Sequence, residues 1–238
     1  MGVIWHFPAL AFCPLPQQAQ QVVVRQVVDG DTLRLVDGRS VRLIGINAPE
    51  IGRKGRTSEP YAEAARRRLQ ALVNASDGRI GLVPGVEEKD KYGRTLAHIY
   101  GISGDNIEAR LLSEGLGYRV AVAPNVSLSG CQQVAEQAAR KAGNGVWRRS
   151  PVVAAADVRQ SGFAVVSGRI RGVERNRGGV WLTLDEAVVL QVPTRLQRNF
   201  PASFFDNLKG RQVEARGWVL DRSRKGGLKL GSDAGYCH

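Results

Sequence analysis

Thr32-Leu-Arg-Leu-Val-Asp37-Gly38-Arg-Ser-Val-Arg-Leu43 is the stretch that decides how the first half of the chain folds. Leu33 and Leu35, then Val41 and Leu43, alternate with Arg34, Val36 and Arg42, the period of strands with one buried face. Asp37-Gly38 at the centre predicts a tight hairpin whose two turn residues both take positive φ. Upstream, Val22 to Val28 is rich in β-branched residues and ends at Asp29-Gly30, which adds a third strand to a curved meander. Downstream, a basic, glycine-rich loop runs from Gly52 to Thr57. Ser58 then offers an N-cap and Pro60 a first-turn residue for a helix over Tyr61–Val73. Its apolar face is Ala64, Ala65, Leu69, Leu72 and Val73, and Arg66, Arg67 and Arg68 read as a solvated face. Ile80–Val83 and Thr95–Tyr100 predict further strands. Ile107–Glu114 and Gln132–Lys141 predict helices, the second closed by Gly143, with Trp147 packing it onto the barrel.

Pro151 to Asp157 reads as a connector, and beyond it a new strand series begins. Phe163–Val173, Val180–Leu184, Val188–Val192 and Val213–Leu220, with a short helix near Phe200–Leu208, predict a second small barrel of the oligonucleotide-binding type. Trp181 and Trp218 read as its core residues. The fold class is therefore mainly β with helices: one five-stranded barrel and a second, smaller β domain. The expected division is a tail or signal remnant at 1–21, a first domain at 22–150, a linker at 151–160 and a basic β domain at 161–238.

Composition narrows the partners. The 238 residues carry 34 Lys and Arg against 22 Asp and Glu, a net charge of +12. An excess of that size favours a polyanion, because each neutralised phosphate releases condensed counterions; an anionic membrane surface would feel the same field. From Ser161 onward there are 13 Lys and Arg against 7 Asp and Glu, so half of the net charge lies on a third of the chain. Arg169, Arg171, Arg175 and Arg177 gather there around one hairpin. No apolar run approaches the ~18–20 residues of a membrane span. Val3–Leu15 is apolar but broken by His6, Pro8 and Pro14, and reads equally as a disordered tail or as the remnant of a signal segment. Cys13, Cys131 and Cys237 have no metal-ligand spacing. In an oxidising compartment Cys13 could pair with Cys131 and tie the N-terminal arm to a later helix.

Three clusters carry chemistry: Asp29-Gly-Asp31-Thr32, Arg42-Leu-Ile-Gly-Ile-Asn47-Ala48-Pro-Glu50, and Asp90-Lys91-Tyr92-Gly-Arg94. Hydrolysis of a phosphodiester needs a base for water and cations for the charge that develops on phosphoryl oxygens, and a hard metal ion can share both tasks. Glu50 suits the first need. Arg42 and Arg94 suit the second, since a guanidinium offers paired donors to phosphate. Asp31, with oxygens from the Asn47 region, suits a calcium-like ion. Any one cluster alone reads as an ordinary turn or strand.

Together and in this order, the three clusters resemble the thermonuclease (staphylococcal or micrococcal nuclease-like) family over about Val22–Trp147. The resemblance implies an oligonucleotide-binding barrel with three helices that cleaves DNA and RNA with a calcium ion, water being the nucleophile. It implies Arg42, Glu50 and Arg94 as catalytic, and Asp31, Asn47 and the Ala48 carbonyl as calcium ligands. Lys91 and Tyr92 then flank the nucleotide. Two departures from the family pattern matter. Asn47 stands where the family has a second aspartate, which removes one negative charge from the ion site. Of the tyrosine pair that lines the nucleotide, only Tyr118 is near the matching position.

The resulting expectation is a calcium-dependent nuclease, monomeric, acting on DNA or RNA with single strands preferred, in an extracytoplasmic (periplasmic or secreted) setting. A non-catalytic binder of single-stranded nucleic acid on the same barrel is the alternative, and a protein-interaction scaffold a third. Cleavage with and without calcium separates them.

Overall fold

A computed structural model of the chain describes residues 13–220, apart from Gln17 and Lys54, together with 228–230. Most of Val3–Leu15 and the final Tyr236-Cys237-His238 lie outside the described residues. The chain divides into two compact units, one holding the chain through Arg119 with Ser127–Arg148, the other Val120–Val126 with Arg149 onward.

In the first unit, β1 (Gln20–Val27), β2 (Thr32–Leu35), β3 (Ser40–Leu43), β5 (Arg79–Lys89) and β6 (Thr95–Tyr100) close a barrel in the order β1-β2-β3-β6-β5. β3 and β6 run parallel, Val41 opposite Thr95, and the other pairs are antiparallel. Leu33, Leu35, Val41 and Leu43 point inward and are buried, as the alternation predicts. The hairpin turn differs from expectation. It is a three-residue loop, Val36–Gly38, in which Leu35 N–H donates to Arg39 O, and only Gly38 has positive φ (91°). Asp37 instead keeps a negative φ and accepts from Arg39 N–H at 3.0 Å. A type I turn followed by a left-handed glycine needs positive φ at one residue, not two.

Three helices cover this barrel: α1 (Ala62–Asn74), α2 (Ile107–Ser113) and α3 (Ser129–Ala142). A short pair, β4 (Ile46–Asn47) and β7 (Tyr118–Arg119), lies beside them. Ser58 does not cap α1. Its hydroxyl accepts from Gly52 N–H at 3.0 Å, and the helix starts at Ala62 after Tyr61, which is left-handed at φ 70°. Arg68 is likewise not simply solvated: it makes a two-pronged bond to Glu114, both distances 2.7 Å, that fastens α1 to the end of α2. Gly143 closes α3 in the left-handed conformation, as expected. Trp147 packs on Ala139 and Val146 and meets Tyr118 edge-on at 5.6 Å, so it joins α3 to β7 rather than to the barrel wall. Cys13 and Cys131 form a disulfide across a separation of 118 residues. On chain-entropy grounds a loop of that size is worth about 5 kcal/mol.

The second unit holds β8 (Val152–Ala154), β9 (Gly162–Asn176), β10 (Gly179–Leu184), β11 (Val188–Val192), the short α4 (Thr194–Gln197), β12 (Gln212–Leu220) and β13 (Leu228–Leu230). Pairings of β9 with β10, β10 with β11, β11 with β13, β13 with β12 and β12 with β9 form a ring, with β11 and β13 parallel. That is the strand order of the first barrel. β8 pairs with β9, Val152 opposite Val165, so the expected connector contributes a strand to this sheet. Its core is Val166, Ile170, Val180, Leu182, Leu184, Val188 and Leu190 with Phe205 and Leu208. Neither Trp181 nor Trp218 belongs to it. Both sit on outward positions of their strands, and Trp218 meets Phe163 edge-on at 5.4 Å.

One buried acid holds β6 to α2. Glu108 is 0 % exposed and accepts from Ile99 N–H at 3.1 Å and from Asn106 Nδ2 at 2.8 Å, with His98 Nδ1 at 3.2 Å. Removing it leaves three buried polar partners without their acceptor. Glu108→Ala should lower unfolding stability by about 3 kcal/mol or more in urea titration; a loss below about 1 kcal/mol would show that the cluster is not a fixed joint.

Candidate nucleic-acid cleavage site

The end of β1, the start of β2 and the β3–β4 segment bring the first two clusters together. Thr32 pairs with Arg42 across β2 and β3, so Asp31 arrives beside the arginine. Arg42 Nη1 donates to the carbonyls of Leu43 (2.7 Å) and Ile46 (2.8 Å). Its Nη2 donates to Asn47 Oδ1 at 3.2 Å and lies 3.1 Å from Asp31 Oδ2. Three of the five guanidinium N–H groups are thus committed to the β3–β4 segment, and the ion pair with Asp31 adds to their hold. Asp31 Oδ2 also accepts from Ala48 N–H at 2.8 Å, and Oδ1 from the Thr32 hydroxyl at 3.1 Å.

Asp31 is 4 % exposed. Burial pushes its carboxyl up to about 6; Arg42 opposes this, while Asp29 and Glu50 add to it. The pair with Arg42 is therefore present but too weak to offset desolvation. Glu50 is also pushed up, first by partial burial and then by Asp29, with Arg42 opposing and Glu59 adding. Among the described residues the Glu50 carboxylate has no hydrogen-bond partner, and its basicity is raised.

The loop after Glu50 is closed on itself. Glu50 N–H donates to Glu59 Oε2 at 2.9 Å, and Glu59 N–H donates back to Glu50 O at 2.9 Å. Gly52 packs so tightly that a Cβ there would lie 2.0 Å from Arg56 O. Arg53, on the same loop, lies 3.7 Å from Asp29. Asp29, Arg53 and Glu59 are residues that sequence reasoning did not assign. Asp29 was visible two positions before Asp31, but nothing in the spacing of Glu50 and Glu59 announces their mutual bonds.

The third cluster enters through β6. Leu96 pairs with Arg42 across β3 and β6, and Arg94 immediately precedes β6 at that end of the sheet. Asp90 braces it, accepting from Arg94 Nε at 2.7 Å and from the backbone N–H groups of Arg94 and Tyr92 at 3.0 and 2.9 Å. Burial raises the Asp90 carboxyl, yet these bonds together hold it below the usual carboxylate range. Both Arg94 Nη groups remain without a partner among the described residues. Tyr92 is 72 % exposed, with Lys91 Nζ 5.1 Å and Arg94 Cζ 5.5 Å from its ring centre. Tyr118 is brought next to Asn47 by the β4–β7 pairing. Its ring is half-buried against Trp147, and burial, Glu59 and Glu136 push its hydroxyl up to about 12.

Among the described residues, no three His, Cys, Asp or Glu side chains are grouped to hold a metal ion. The donors that do meet are the Asp31 carboxylate and the Asn47 amide oxygen, with Asp29 and Glu50 adding negative potential. In kind this set fits a hard, oxygen-seeking cation; a calcium ion would complete its six to eight ligands from backbone, water or substrate. The same burial gives a stability test. A carboxyl whose folded pKa lies above its unfolded value costs stability when ionised, fully so above about pH 6 and not at all well below pH 4. Asp31→Asn keeps an acceptor for Ala48 and Arg42. In EDTA at pH 7.5 it should raise the melting temperature, by an amount equivalent to at most roughly 3 kcal/mol, and the gain should fade as pH falls towards 4. A lower melting temperature at pH 7.5 would mean that the Arg42 pair outweighs burial.

Comparison with known proteins gives the family. The profile of the family described as Staphylococcal nuclease homologue matches residues 40–149, a span that includes Arg42, Asn47, Ala48, Glu50, Lys91, Tyr92, Arg94 and Tyr118 but not Asp31. The chain is 32% identical over 137 residues to endonuclease YncB of Bacillus subtilis, covering 56% of this chain and 64% of that protein. It is 31% identical over 135 residues to the thermonuclease of Staphylococcus intermedius, covering 56% of this chain and 79% of that protein. It is 33% identical over 137 residues to a prophage-derived endonuclease of Bacillus subtilis, covering 45% of the relative. With 79% of a thermonuclease matched at 31% identity, the chain belongs to the staphylococcal nuclease homologue family.

Proposed function

We propose that the protein is a phosphodiesterase that cleaves DNA or RNA, with single strands preferred, at the face formed by Arg42, Glu50 and Arg94. The observation that carries this reading is the state of Glu50. Its carboxylate is uncommitted, its basicity is raised by burial and by Asp29, and a closed loop fixes its backbone. That is the condition of a group that orients or deprotonates a water molecule. Arg94, braced by Asp90, turns two free Nη groups to the charge that develops on a phosphoryl oxygen. Arg42 contributes its positive charge from within the scaffold and fixes Asp31 and Asn47 in place. Lys91 and Tyr92 border the nucleotide, the exposed ring offering a stacking surface, while Tyr118 lies at the Asn47 end.

Asp31, Asn47 and the Ala48 carbonyl would hold a calcium ion, which when bound supplies positive charge at the scissile phosphate. A single-stranded substrate suits the exposed Tyr92, since an unpaired base can stack on it. The disulfide between Cys13 and Cys131 supports an oxidising, extracytoplasmic setting. No helix among the described residues is long and apolar enough to cross a membrane. A monomer and a division into a nuclease domain at about 22–150 and a basic β domain beyond it, to which the 151–160 segment adds β8, complete the reading.

The alternative, a binder without catalysis, loses ground because the Glu50 carboxylate accepts no hydrogen bond from the described residues, so no structural task accounts for a partly buried acid kept there. Glu50→Gln should lower kcat on labelled single-stranded DNA by about 10²–10⁴-fold while oligonucleotide affinity stays within about twofold. An unchanged rate would remove Glu50 as the base. Excess chelator should abolish cleavage by the native chain, and equal rates with chelator and with calcium would remove the ion from the reaction.

A further inference from the structure

The turn between β9 and β10 in the second unit is built with more care than a connection requires. Leu182 on β10 faces the core between Val173 and Leu190, so its neighbour Trp181 stands on the outer face, between Glu174 of β9 and Gln191 of β11. The indole is partly exposed there. Its Nε1 donates to Asn176 Oδ1 at 3.0 Å, and the same oxygen accepts from Gly178 N–H at 2.8 Å. Gln191 Nε2 donates to Gly178 O at 3.1 Å, and the Thr194 hydroxyl to Arg177 O at 3.3 Å. Gly179, at φ 127°, lies so close to β11 that a Cβ would be 2.1 Å from Val192 O. The turn, the tryptophan, β11 and the start of α4 are thereby locked into one surface.

The charge on this surface is local. Arg171 and Arg175, further back on β9, lie 3.4 Å from Asp185 and 3.0 Å from Asp206. Arg177 on the turn and Arg195 and Arg198 at α4 are exposed and have no acidic partner among the described residues. Uncompensated guanidinium groups therefore concentrate beside the one aromatic ring that β10 presents outward. A single-stranded nucleic acid asks for that combination: a π face for an unpaired base and paired N–H donors for the phosphates on either side. The strands involved are the second and third of a closed ring whose order is that of oligonucleotide-binding barrels.

We propose that the outer face of β10 and β11 is a second nucleic-acid site, binding single strands with Trp181 as the stacking surface and Arg177 and Arg195 as phosphate contacts. The partner class follows from the nuclease reading, but the site is separate from Glu50 and its function is affinity, not cleavage.

The test reads binding alone, so that it stands apart from any test of cleavage. The full chain carrying Glu50→Gln is titrated in EDTA against a fluorescein-labelled oligothymidylate of about 20 nucleotides, across a range of NaCl concentrations, by anisotropy. Adding Arg177→Ala with Arg195→Ala should raise Kd about tenfold and flatten the log–log salt slope by about 1.4, roughly 0.7 for each phosphate that is no longer neutralised. Lys209→Ala with Arg211→Ala removes the same charge from exposed residues elsewhere on this barrel and should change Kd less than about twofold. Trp181→Leu should raise Kd at least about fivefold and leave the slope unchanged; the arginine pair, being on the surface, decides the matter should that variant fold poorly. Equal weakening by the two double substitutions would mean diffuse attraction to a basic domain, and no weakening by either would mean no site. Both results overturn the proposal.

Discussion

The Arg42 guanidinium is the joint on which the candidate site depends. It reaches two backbone carbonyls, the Asn47 amide and the Asp31 carboxylate, and so ties the β2 entry to the β3–β4 segment within one side chain's span. Its planar fork allows this; a lysine has one point of charge and could not satisfy four acceptors in a plane. Asp31 shows what the joint costs. Burial holds its carboxyl near 6 despite the arginine, so the folded chain keeps an acid whose ionised form it only partly compensates. Such a residue is better explained by what it would coordinate than by what it stabilises.

Glu50 and Arg94 are held by different means, and the difference fits their proposed tasks. Glu50 is fixed through its backbone by the reciprocal bonds with Glu59, which leaves the carboxylate at liberty. Arg94 is fixed through its own Nε by Asp90, which leaves the two Nη groups outward. Neither arrangement contributes much to stability, since both lie near solvent. Each sets the direction of a group proposed to react. Deeper in the unit, the Glu108 cluster does the opposite work: all its polar atoms are consumed, and it serves only to lock α2 to β6.

The sequence was legible where structure is local. Alternation around Asp37-Gly38 marked β2 and β3, Gly143 marked the end of α3, and the three clusters fell on one barrel as their order implied. It was less legible where a side chain serves a distant partner. Ser58 has the look of a cap, but its hydroxyl is taken by Gly52 N–H across the loop. Arg68 reads as solvated because Glu114 is 46 residues away. Trp181 and Trp218 read as core because tryptophan usually is; only the strand register, with Leu182 and Val219 facing inward, turns them out. The hairpin turn is open by one residue in the sequence, because Asp-Gly also suits a three-residue loop with a single left-handed glycine.

The proposed cation site lies where Asp31 and Asn47 meet, with an amide in place of a second carboxylate. Restoring that charge is the most direct probe. Cleavage of single-stranded DNA is followed across a calcium titration for the native chain and for Asn47→Asp. The variant should reach its half-maximal rate at a calcium concentration at least about tenfold lower, because ligand charge sets affinity at such sites. Superimposable titration curves would contradict the account and place the ion, if the reaction uses one, away from Asn47.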